Sequence, residues 1–109
     1  MHLENLIKKL LSGGMAQMNI PQITSIDNAL KIFYSHPELG NKEITILFGR
    51  LSSATTAKLK KLAREEMIKR EKLSYGMYKV NTSVAYDVWG IDVMDLEARR
   101  NKLKALELQ

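Results

Sequence analysis

The chain has 109 residues, 45% of them hydrophobic, with two prolines and no cysteine. That length supports one domain with a modest core, and that composition excludes wholesale disorder, disulfide staples, thiolate metal ligands and a cysteine nucleophile. The net charge of +5 is concentrated: residues 50 to 79 hold nine Lys or Arg against three Glu, while the rest of the chain carries eight basic and nine acidic groups, the footprint of a surface facing polyanions.

No stretch approaches the roughly 18 apolar residues of a membrane span, so no membrane partner is expected. Lys8 and Lys9 lie inside the N-terminal apolar pattern rather than before it, which argues against a signal peptide and for a cytoplasmic location. Residues 1–14 read as an amphipathic helix or extension. "LENLIKKLL" puts Leu3, Leu6, Ile7, Leu10 and Leu11 on one face, and "SGG" stops it. Residues 15–23 form a connector.

The compact part is expected over 24–90. In "TSIDNALKIFYSHPELG", Thr24 or Ser25 caps a helix whose buried face holds Ile26, Ala29, Leu30 and Phe33, and Pro37 and Gly40 close it. Asn41 is predicted to cap a second, short helix with Ile44, Leu47 and Phe48 inward. A third helix runs from Ser52 or Ser53 to about Arg70, with Leu59, Leu62, Ala63 and Met67 inward. Ser53, Ala54, Ala57, Lys58, Lys61 and Arg64 fall on its outer side, with Thr55 and Lys60 on the flanks. Small residues thus precede charged ones, an order that lets a helix N-terminus approach base edges while longer arms reach phosphates.

Residues 73–89 admit two readings. A β-hairpin wing would pair 73–80 with 83–89. A short helix capped by Asn81, with Val84, Ala85 and Val88 inward and Gly90 ending it, is favoured because "VAYDVWG" has a helical apolar face. Residues 91–109 form a last helix, capped by Asp92 with Asp95 at the reciprocal position. Leu96, Leu103 and Leu106 lie along a seam that either packs on the core or joins two copies. Arg99 interrupts the heptad, so any coiled coil there is short. The fold class is all-α, with helical extensions at both ends of a three-helix core.

Residues 41–62 carry a more specific pattern. Glu43 and Ile44 form an acidic–aliphatic pair, Leu47, Phe48 and Gly49 a helix end and turn glycine, Leu51 an apolar turn position, and Ser52 a cap followed by Thr55 and Lys58. This unit resembles the helix-turn-helix of bacterial and phage DNA-binding proteins. Arg50 adds a residue in the turn, and Thr56 stands where an aliphatic is usual. The resemblance implies that Ser53, Ala54, Thr55 and Lys58 approach bases, with Ser52 near phosphate. The basic residues Arg50, Lys60, Lys61 and Arg64 then serve as further phosphate contacts.

The expected function is sequence-specific binding of double-stranded DNA, as a transcriptional regulator or other site-recognition factor, with a homodimer as the expected working unit. A protein-interaction adaptor on the same scaffold is the alternative, motivated by helix-face leucines at both chain ends. No enzymatic chemistry, cofactor or metal site is expected. His2 and His36 are distant, Asp92 and Asp95 are explained by capping, and Ser52 and Ser53 lack a neighbouring base. Trp89 is expected in the core, His36 in a surface loop, and Tyr75 and Tyr78 beside the basic segment.

Overall fold

The computed structural model describes residues 18–72, 76 and 78–108; the expected N-terminal helix at 1–14 and Tyr75 lie outside them. Among the described residues the fold is mostly helical, with five α-helices and one two-stranded antiparallel ladder.

Helix α1 (Ile26–Ser35) begins at Ser25, whose hydroxyl oxygen accepts the Asn28 N–H at 3.0 Å. It stops at His36, which precedes Pro37 and takes the extended backbone that a following proline favours. The chain continues into strand β1 (Glu38–Leu39) and then helix α2 (Asn41–Phe48). Asn41 is not the cap expected. Gly40 holds that position, and the Glu43 carboxylate reaches back to accept the Gly40 N–H at 2.8 Å, satisfying that donor.

Helix α3 (Ser53–Lys69) is the longest among the described residues. Strand β2 (Val80–Asn81) pairs with β1, placing Val80 opposite Leu39 and Asn81 opposite Glu38. Leu39 and Val80 are both fully buried, so this short ladder passes through the core rather than standing beside it. The Thr82 N–H donates to the Pro37 carbonyl at 3.0 Å and extends the join. The hairpin wing is therefore not formed: residues 83–88 are helical, and residues 80–81 pair with 38–39 instead.

Helix α4 (Thr82–Val88) follows directly, capped by Asn81, whose side-chain oxygen accepts the Val84 N–H at 3.0 Å. Its end has paired reverse bonds, Gly90 N–H to Asp87 O and Ile91 N–H to Tyr86 O, which require the positive φ of +71° at Gly90. Asp92 then caps helix α5 (Val93–Glu107) by accepting the Asp95 N–H at 3.2 Å. The Asp95 carboxylate does not return the bond but pairs with Arg99 at 2.8 Å.

The core gathers Leu30, Leu39, Ile44, Leu47, Leu59, Val80, Val84 and Tyr86. Helix α4 lies against α3, while α1 packs on both α2 and α5. Trp89 joins the core as expected, edge-on to Phe48, and donates its indole N–H to the Leu59 carbonyl at 3.0 Å. No helix among the described residues is long and apolar enough to cross a membrane.

Candidate nucleic-acid interface

The turn between α2 and α3 is built from both sides. Gly49 has φ +85° and ψ −167°, a conformation essentially reserved for glycine. Its N–H donates to the Thr45 carbonyl at 2.8 Å, closing α2. Thr24 does not cap α1 but clamps this turn: its N–H donates to Leu47 O at 2.8 Å and its hydroxyl to Ile46 O at 2.8 Å. No local pattern reveals that role, because the partners are over twenty residues away.

Ser52 caps α3 as expected. Its hydroxyl oxygen accepts the Thr55 N–H at 3.1 Å, and its proton goes to the Thr55 hydroxyl at 2.9 Å. The Thr56 hydroxyl donates to the Ser52 carbonyl at 3.1 Å, which explains how threonine replaces an aliphatic there. The exposed Ser52 side chain is thus engaged in the cap at the start of α3. The open donors at this helix start are the backbone N–H groups of Ser53 and Ala54, at the positive end of the helix dipole.

Along α3 the exposed stripe runs through Ser53, Ala54, Ala57, Lys58, Lys61, Glu65, Ile68 and Lys69. Of the base-reading candidates, Ser53, Ala54 and Lys58 lie on this stripe, and Thr55 sits half-buried at its edge. Of the phosphate candidates, Arg50 and Lys61 are exposed and Arg64 is half-buried. Lys60 departs from the expected flank: it is only 8% exposed, on the core side of the boundary, because the helical period sets it near Met67 and Thr56 rather than near Lys61. Burial, then the neighbouring Arg64 charge, push its ammonium below the ordinary lysine pKa.

Two further features shape the charge. Arg70 bonds Glu66 at 2.8 Å and Asp87 at 2.7 Å, tying the end of α3 to α4 and neutralising one cation of the basic segment. These two acceptors hold the guanidinium pKa above its ordinary value. Tyr78 is 72% exposed beside α3, where it lines a cleft with Lys60 and Arg64. That cleft was not legible in the sequence.

The dimerisation candidates separate. Leu96 is buried against the core because α5 folds back on α1, so it is removed from any intermolecular seam. Leu103 and Leu106 remain more than half exposed. Among the described residues no group of three His, Cys, Asp or Glu side chains is placed to hold a metal ion.

Comparison of the chain with protein-family models, with curated proteins and with solved structures finds no match in any of the three.

Proposed function

We propose that the exposed stripe of α3 enters the major groove of double-stranded DNA and reads sequence. The observation that carries this reading is the composition of the stripe: small Ser53, Ala54 and Ala57 first, then Lys58 and Lys61, uncovered by any other described element. Small side chains at the helix start allow close approach to base edges, and the longer arms that follow can reach a base edge, as proposed for Lys58, or a phosphate, as proposed for Lys61. Arg50, exposed in the turn, adds a further cation to the basic segment. A bacterial or phage regulator is the setting in which such a unit commonly works.

Titrating the intact chain with cognate-selected and scrambled duplexes across a salt series tests the reading. Tight binding that weakens steeply with salt and prefers the selected duplex supports it. Equal affinity for both duplexes removes sequence reading, and no binding at low salt removes the reading altogether.

One helix of this size spans only a few base pairs, so the same reading calls for two copies about a two-fold axis. The exposed Leu103 and Leu106 on α5 are the surface proposed to join them.

A further inference from the structure

The cleft beside α3 has a volume of about 420 Å³ and is bounded by Asn41 on α2, by Ser53, Thr56, Lys60 and Arg64 on α3, and by Tyr78. No carboxylate lines it among the described residues. Lys60 is more than nine-tenths buried and has no ion pair or hydrogen-bond partner among them. Partial desolvation of a cation without a counter-charge is costly, and the neighbouring charge of Arg64 adds to that cost. Among the described residues no sealed side-chain nitrogen or oxygen lacks a partner, so the Lys60 ammonium must still reach solvent, and the cleft is the opening it lines.

The remaining lining groups are arranged to donate. The Ser53 and Tyr78 hydroxyls and the Asn41 amide have no acceptor among the described residues. Thr45 and Thr56 are the exceptions, because their protons are committed to the Asn41 and Ser52 carbonyls. The start of α3 adds the open N–H of Ser53 and the positive end of a 17-residue helix. The Lys60 ammonium, hydroxyl donors and a helix N-terminus, with no carboxylate in the described lining, form a site for a compact, multiply charged oxyanion.

We propose that this cleft binds a phosphate group, with Lys60 as its principal ion-pairing partner and Ser53 and Tyr78 as hydrogen-bond donors. The assignment stands without the DNA reading, since a free phosphate monoester and a backbone phosphate present the same chemistry. A dianion seated there supplies the counter-charge that Lys60 lacks.

The test is a titration of the isotope-labelled full chain with inorganic phosphate, against chloride at matched ionic strength, followed by NMR. Saturable phosphate-specific shifts at the Ser53, Thr56 and Ala57 amides are expected. Lys60→Met keeps the buried stem and should weaken phosphate binding by roughly tenfold or more, as loss of one charge-assisted bond does. Lys102→Met, on exposed α5, should leave it unchanged. The Lys60 side-chain nitrogen of the wild-type chain should also shift on phosphate addition, a readout that needs no variant. Equal responses to chloride and phosphate, or an unmoved Lys60 nitrogen, overturn the proposal. If duplex DNA competes with phosphate and Lys60→Met weakens both, the occupant is a backbone phosphate. If phosphate saturates while duplex neither binds nor competes, the occupant is a free phosphate ester and only the DNA reading fails.

Discussion

Tyr86 is buried, and its hydroxyl donates to the Ala29 carbonyl at 2.6 Å, joining α4 to the middle of α1. Burial raises the phenol pKa well above its ordinary value of 10.0. The folded state therefore keeps this proton where the unfolded chain begins to lose it. The stability Tyr86 contributes is complete below that ordinary value and declines as pH rises through it and beyond. Tyr86→Phe should cost about 1 kcal/mol at neutral pH, measured by urea unfolding. It should also flatten the alkaline fall of stability, relative to wild type, by up to about 1.4 kcal/mol per pH unit. Gly49 is a second position where one residue decides. A Cβ there meets only the Thr24 methyl at 3.5 Å, so the obstacle is the backbone rather than space. Gly49→Ala should destabilise the fold by about 1–3 kcal/mol. Gly90→Ala should cost less, about 1 kcal/mol, because φ +71° lies nearer the left-handed region that other residues visit.

At the scale of an element, α3 does two things on two faces. Its inner face, Leu59, Ala63 and Met67, anchors it, with Trp89 bonded to a carbonyl in its middle. Its outer face is covered by no other described element. The two lysines of that face should separate in their effects on duplex binding. Lys61→Ala should weaken binding to every duplex and reduce the slope of log K against log salt by about 0.9, as loss of one phosphate contact does. Lys58→Ala should instead relax discrimination at one base pair by about 1–3 kcal/mol while leaving the salt slope nearly intact. Identical behaviour of the two variants would mean that the face senses charge and not sequence. Neither change should disturb the fold, since both side chains are exposed.

For the whole molecule, the question is what α5 is for. It meets α1 through buried Leu96, through a bond from the Tyr34 hydroxyl to Glu97, and through an Arg100–Asp27 pair at 3.8 Å. The ion pair is exposed and adds little, so apolar packing holds the helix. Leu96→Ala should cost about 2–5 kcal/mol in thermal or denaturant unfolding. Replacing Leu103 and Leu106 together by Lys should leave stability nearly unchanged but abolish the proposed dimer in sedimentation, both alone and on a duplex carrying two half-sites. If the intact chain is a folded monomer at tens of micromolar with and without that duplex, the pairing proposal fails.

The helices and most of their ends were legible in the sequence by itself, because their determinants are local. A cap such as Ser25, Ser52, Asn81 or Asp92 acts on an N–H three residues away, and the apolar faces of α2 and α3 repeat within one or two turns. The excess positive charge of residues 50–79 needed only counting. The tertiary structure alone decided what depends on partners far along the chain: the ladder of residues 38–39 with 80–81, the Thr24 clamp on α2, Arg70 held by Asp87, and Leu96 drawn into the core. Lys60 belongs with these. Its position near the edge of the α3 apolar face is readable from the helical period, but whether that edge meets solvent or a neighbouring wall depends on where α2 and Tyr78 come to rest. Local hydrogen bonding specifies elements, whereas burial is a property of the packed assembly.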